Sequence, residues 1–433
     1  MSLSERLNEV DGADKPQRHL VQVDGLSEFK VAISNELFER LGQRLFETQS
    51  QERLHATVVE EIRSIIAAEE APLTDEERHR LTLEIARDVM GYGPIEKFLD
   101  DESVSEVMVN GTSFIYIEQD GRITATNARF ISEEHLRRVI DRIVSQVGRR
   151  VDESSPMVDA RLPDGSRVNV IVPPLSLDGS ILTIRKFAED PFEAAELVEM
   201  GTFTPQVSAV LAAAVEGGLN ILVSGGTGTG KTTFLNVLSS FVPRDERIVT
   251  IEDAVELQLR QDHVIRLEAR PANVEGAGEI TIRDLVRNSL RMRPDRIIVG
   301  EVRGSEALDM LQAMNTGHDG SLSTVHANSP RDALARVETM VLMAGFDLPS
   351  RAIREQIASA LNLVVHMERL RDGRRVISNV SEVLGMERDV ITMQDVFKYD
   401  WNEQRLVATG IRPEFDAKLH GRGLALPSGV FEQ

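Results

Sequence analysis

The sequence predicts an α/β protein: a mostly parallel sheet with helices on both faces, preceded by a smaller α+β domain and a helical N-terminal region. Three observations carry this. Beyond Asn220, short apolar or β-branched runs at 221–223, 248–251, 297–299 and 322–325 alternate with helical patterns, as buried parallel strands do. Between residues 91 and 190 the runs are short and close at glycine-containing turns. Before that, apolar residues recur at helical spacing.

In chain order, residues 1–30 mix Gly, Asp, Pro and Gln without period and read as a flexible lead-in. Residues 31–90 form the helical region: Leu37, Leu41, Leu45, Val58, Ile62 and Ile65 share a face, and Pro72 interrupts it. Thr74, followed by Asp75, Glu76 and Glu77, is a capping box opening a helix to Met90, where Gly91, Gly93 and Pro94 stop it. The α+β domain, 91–190, holds strands at 104–109, 114–117, 123–126 and 181–187, with a turn at Asp120-Gly121. It adds a helix at 132–147 and a hairpin at 161–172 folded at Asp164-Gly165. Residues 191–204 read as a linker. The third domain, 205–433, adds helices at 282–292 and 305–314, two more beyond Pro330, a hairpin at Asp372-Gly373 and a mixed tail.

Composition narrows the function. The chain has 433 residues, 49 basic and 70 acidic, for a net charge of −21, and no cysteine. Disulfides, thiol catalysis and cysteine-based metal sites are excluded. No apolar run approaches the roughly 18 residues of a membrane-spanning helix. The first ten residues are polar, so no secretory signal is expected, and the expected location is cytoplasmic. An acidic chain is a poor nucleic-acid binder, so no nucleic-acid partner is expected. The charge is unevenly placed: residues 1–200 carry 39 acidic and 23 basic side chains, the rest 31 and 26. Between Lys186 and Lys398 the one lysine is Lys231.

That lysine closes the stretch Gly225-Gly226-Thr227-Gly228-Thr229-Gly230-Lys231-Thr232-Thr233, which fits G-x-x-x-x-G-K-[ST] between a strand and a helix. The glycines let backbone N–H groups turn around a phosphate, and the helix N-terminus adds partial positive charge. Lys231 supplies a compact cation for the β- and γ-phosphates of ATP, and Thr232 offers a hydroxyl to Mg²⁺. Glu301 ends the strand at 296–301 and is placed to reach the Mg²⁺ shell; Glu252 ends another and could orient or deprotonate the attacking water. A helix cap is the alternative for either acid, and Asp253 is the better candidate for that. His326 ends the strand at 322–326 and is placed to sense the γ-phosphate, whereas His318 lies in the preceding turn and is as readily structural.

These four boxes, around Lys231, Glu252, Glu301 to Arg303 and Thr316 to Asn328, follow the order of the secretion ATPase superfamily, which the chain resembles. That superfamily powers type II and type IV secretion, type IV pili and archaeal flagella. The segments 107–111, 159–169 and 182–187 are similar to the tight-adherence (Tad) pilus assembly ATPases, the CpaF-like branch. The resemblance covers about residues 80–410. It implies a RecA-like P-loop NTPase motor domain in a homo-hexamer, with nucleotide held between two domains. It also implies association with an inner-membrane platform and Mg-ATP hydrolysis that drives domain rotation and pilin assembly. It further implies that N-terminal arginines complete the site; Arg167 and Arg185 stand in the matching segments, with Arg161 less well matched, and surface salt bridging is the alternative for each. Arg303 is open to both roles. The lack of cysteine sets the chain apart from type II secretion ATPases that carry a tetracysteine zinc module. Two rival readings stand beside the pilus motor: a type IV secretion or conjugation ATPase of the same superfamily, and a scaffold that binds nucleotide without turnover.

Overall fold

The computed structural model describes residues 51–68, 74–119, 121–187, 192–270, 272 and 277–431, together with 30, 32–33, 36–37 and 40–41. Residues 1–29 of the lead-in, Leu45, Pro72, Asp120 and the first position of the expected linker lie outside the described residues. The chain divides into two compact units at Lys186/Phe187.

In the first unit, helix α1 (Gln51–Ala68) packs Val58, Ile62 and Ile65 with Ile33, Leu37 and Leu41 against Leu81, Ile85 and Val89 of α2 (Asp75–Met90). The capping box forms: Glu77 N donates to Thr74 Oγ1 at 3.3 Å, and Thr74 N donates to Glu77 Oε2 at 2.8 Å. A six-stranded sheet follows, built from β1 (Val104–Asn110), β2 (Phe114–Gln119), β3 (Arg122–Ala125), β4 (Met157–Arg161), β5 (Arg167–Ile171) and β6 (Ile181–Arg185). Its order is β3-β2-β1-β6-β5-β4 and every pair is antiparallel. Period-two alternation sends Val107, Val109, Ile115, Val168, Val170, Leu182 and Ile184 to one face. There they meet Leu136, Ile140 and Ile143 of α3 (Glu133–Gln146). Arg142 of α3 donates to the Met90 and Gly91 carbonyls, so it closes the open end of α2.

The second unit is a nine-stranded sheet. It contains β7 (Ile221–Gly225), β8 (Ile248–Glu252), β9 (Val264–Glu268), β10 (Arg296–Val302), β11 (Leu322–His326), β12 (Leu363–Arg369), β13 (Arg375–Glu387), β14 (Val390–Asp400) and β15 (Arg405–Ala408). The order is β15-β14-β13-β12-β7-β11-β10-β8-β9. Strands β12 to β9 along that order are parallel, while β13, β14 and β15 extend it as an antiparallel meander. Helices cover both faces, so the sheet is mostly parallel as expected. One core gathers Ile221, Val223 and Ile298 with α4 (Pro205–Glu216) and α5 (Lys231–Ser240). The other gathers Leu222, Ile297 and Val299 with α6 (Ile282–Ser289), α7 (Glu306–Asn315), α8 (Pro330–Met343) and α9 (Ser350–Ala360). The expected linker carries a short helix, Ala194–Glu199, whose Leu197 is buried in the first of these cores. The expected hairpin at Asp372-Gly373 forms between β12 and β13, whereas β9 and the continuation through β14 and β15 go beyond what the sequence predicts. Among the described residues, no helix is long and apolar enough to cross a membrane.

Candidate functional site

Parallel strands point their carboxyl ends the same way, so the loops leaving β7, β11, β10 and β8 share one edge of the sheet. The loop from Gly225 to Gly230 leaves β7 there and enters α5. Gly230 is the N-cap residue of α5 in left-handed conformation (φ 89°, ψ 22°), which strains any other residue. At Gly225 a Cβ would come within 2.6 Å of the Met367 carbonyl oxygen, so close strand approach excludes a side chain there too. The result is a loop of main-chain donors at the amino end of α5, a chemistry suited to phosphate oxygens.

Around it stand four of the predicted side chains. Lys231 is half-buried and its Nζ donates to the Gly226 carbonyl at 2.9 Å. Burial lowers its pKa, Glu301 opposes this and Arg303 adds to it. His326 sits opposite Gly225 in the β11–β7 register, with Nε2 3.3 Å from Thr227 Oγ1 and Nδ1 3.9 Å from Glu301 Oε1. Its pKa is lowered by burial first and then by Lys231, with Glu301 working against both. Glu301 accepts from Arg303 Nη2 at 2.6 Å, and Arg303 also donates to Asp253 at 3.2 Å. The ends of β7, β10 and β11 thus bring Lys231, Thr227, Glu301 and His326 together. Thr232 and Thr233 occupy the first turn of α5. Gly226, Gly228 and Thr229 complete the loop, with Thr229 Oγ1 donating to the Gly226 carbonyl at 3.0 Å.

Glu252 is held differently. It is buried, and its Oε2 accepts from the amides of Glu256 at 2.8 Å and Leu257 at 3.0 Å. One carboxylate oxygen therefore fastens the loop after β8. Gly300 makes room for it, since a Cβ there would lie 2.8 Å from Glu252 Cγ. Asp253 pairs with Arg303, and His318 Nδ1 lies 3.2 Å from the Ala313 carbonyl in its turn.

The arginines of the first unit form a row. Arg161 faces Arg167 across β4–β5, Arg167 faces Arg185 across β5–β6, and Arg185 faces Glu106 across β6–β1. Arg185 pairs with Glu106 at 3.5 Å. Strand alternation puts all three residues on the face opposite Val168, Leu182 and Ile184, which pack on α3.

Two neighbours of the loop escaped sequence reasoning. Arg375 Nε donates to the Gly228 carbonyl at 3.1 Å, and Arg369 pairs with Arg375 across the β12–β13 hairpin. The arginines around Asp372-Gly373 were the available signal. The second neighbour is His366, whose Nδ1 lies 2.8 Å from Ser224 Oγ.

A P-loop between the central strand β7 and helix α5 of a mostly parallel sheet, with acids at the ends of the neighbouring strands β10 and β8, defines a RecA-like P-loop nucleotide-binding domain. The profile of the type II/IV secretion system proteins matches residues 88–394, and the chain belongs to that family. It is 39% identical over 300 residues to a putative conjugal transfer protein of Mycobacterium tuberculosis (strain ATCC 25618 / H37Rv), covering 68% of this chain and 85% of that one. It is 33% identical over 300 residues to the type IV secretion system protein PtlH of Bordetella pertussis (strain Tohama I / ATCC BAA-589 / NCTC 13251), covering 64% and 88%. The fold is shared with a crystal structure of the pilus retraction motor PilT with bound ADP. There the TM-score is 0.50 at 22% identity over 66% of this chain and 80% of that one. The relatives carry conjugation and type IV secretion names, so they favour that branch over the tight-adherence pilus branch expected from residues 107–187.

Proposed function

We propose that the chain is an ATP-hydrolysing motor of a type IV secretion or conjugation machine, working as a homo-hexamer at the cytoplasmic face of a membrane platform. The observation that carries the reading is the meeting of Lys231, Glu301 and His326 at one edge of the sheet around the P-loop. In the proposal, the loop amides and Lys231 hold the phosphates of ATP, and Gly225 to Thr233 form the nucleotide cradle. Thr232 and Glu301 hold Mg²⁺, which when bound neutralises phosphate charge. Glu301 orients a water through its free lone pairs while Arg303 fixes the carboxylate plane. Glu252 fastens the loop after β8 and, from the end of that strand, orients or deprotonates the attacking water. His326, whose pKa is lowered by burial and by Lys231, is placed to hydrogen-bond the terminal phosphate. Arg167 and Arg185 are proposed as further hydrogen-bond donors to the phosphates on the strength of the family resemblance.

Steady-state hydrolysis tests this. Wild type should turn over ATP only with magnesium, and Glu301→Gln should lose on the order of 100-fold in kcat while nucleotide affinity stays within about threefold. A wild type with no magnesium-dependent turnover above that of the variant would defeat the reading in favour of a nucleotide-binding scaffold.

A further inference from the structure

The motor sheet buries a histidine directly behind the P-loop. His366 is 3% exposed and lies on β12 in register with Ser224 on β7. Two residues earlier on the same faces, Leu222 and Val364 are packed in an apolar core. The imidazole meets Ser224 Oγ at 2.8 Å through Nδ1, and the main-chain carbonyl of Asn328 lies near enough to favour a proton on the ring. A carbonyl oxygen can only accept, so the ring proton is directed to Asn328 and the Ser224 hydroxyl donates to Nδ1 of a neutral ring. Burial favours that neutral form and Lys231 pushes the same way, while Glu368 and Asp332 push against it.

What the ring joins matters more than its charge. Ser224 immediately precedes Gly225, where the phosphate loop begins. Asn328 lies two residues beyond His326 and directly before Ser329, the N-cap of α8. One side chain therefore ties the start of the P-loop to the turn that follows His326. Apolar residues of similar shape at 366 and 224 would cost little stability, because a buried hydrogen-bonded pair is roughly neutral against its apolar isostere. The polar trio is thus better explained by geometry than by packing.

We propose that His366 is a positioning residue, setting the register in which His326 faces Thr227 and Glu301, so that turnover depends on it and nucleotide binding does not. This rests on the ATPase reading above. It is tested on the full chain by steady-state Mg-ATP turnover and by the affinity for a fluorescent ADP analogue. Glutamine at 366 can still donate to Asn328, and asparagine can still accept from Ser224. His366→Ala should lower kcat about tenfold or more with affinity within about threefold. His366→Gln and His366→Asn should each recover part of that loss. Adding Ser224→Ala to His366→Gln should cost less than about twofold, because that link is already cut. If His366→Ala does not fold, the two amide variants and Ser224→Ala decide. The proposal is overturned by turnover within about twofold of wild type in the variants, by parallel losses of kcat and affinity, or by additive effects of the two sites. A wild type without magnesium-dependent turnover removes the ATPase reading and this inference with it, an outcome distinct from an active wild type with unaffected variants.

Discussion

In the nine-stranded sheet the polar side chains gather at strand ends, whereas in the six-stranded sheet they lie in rows across a face. The cause is strand direction. Parallel strands need crossover connections, which send every carboxyl end to one edge, so Lys231, Glu301 and His326 meet although they are 70 and 25 residues apart in sequence. Antiparallel strands return by short turns, so register decides what meets, and Arg161, Arg167 and Arg185 align across three strands. The first arrangement converges on one point of the sheet edge; the second presents a broad face.

The largest effect should follow from breaking the strand-end cluster. Lys231→Ala should lower turnover on the order of 1000-fold and weaken nucleotide binding, read by steady-state kinetics and by titration with an ADP analogue. Retained turnover would mean that the cluster is not the reacting site. The row in the other sheet should matter less. Arg167→Ala and Arg185→Ala should each lower turnover roughly tenfold with unchanged thermal stability, while Asn169→Ala, one row further along, should leave turnover within about twofold. Equal, negligible effects would confine the chemistry to the strand ends.

The smallest effect concerns stability in the first unit. Burial raises the Asp88 pKa to about 6 and lowers the His135 pKa to about 4. The folded state therefore holds Asp88 protonated between about pH 4 and 6, and that contribution is lost as pH rises through the folded value. His135 stays neutral when folded, and its contribution is lost as pH falls from about 6.5 toward 4. The two slopes oppose each other. Asp88→Asn should uncover the histidine slope, so that unfolding free energy falls by about 1 kcal/mol per pH unit on acidification from pH 6 to 5, measured by urea denaturation. A flat profile in the variant would remove His135 as a titrating group.

Much of this was legible in the sequence for local reasons. Thr74 and Glu77 are three residues apart, so a capping box is visible without a fold. The P-loop, Glu301 and His326 announce themselves through short motifs at the ends of apolar runs. The tie between Ser224 and His366 spans 142 residues and arises from β12 lying beside β7, a sheet order no local pattern encodes. The contact of Arg375 with Gly228 has the same origin. Strand β4 (Met157–Arg161) has no fully buried residue, so no alternation marks it, and the expected hairpin at 161–172 reaches only its last residue. The fastening of Glu252 to the amides of Glu256 and Leu257 depends on a loop path that spacing does not reveal.

The solitary lysine has a consequence of its own. Every other cation between 187 and 397 is arginine or histidine, and Lys231 is half-buried with a depressed pKa. Its amine is the one primary amine across that whole stretch, and it holds a lone pair more readily than an exposed ammonium does. An amine-selective acylating reagent therefore becomes a footprint of the phosphate loop: peptide mass spectrometry would find one labelled position from 187 to 397, and occupancy of the loop by a nucleotide would be read as its disappearance.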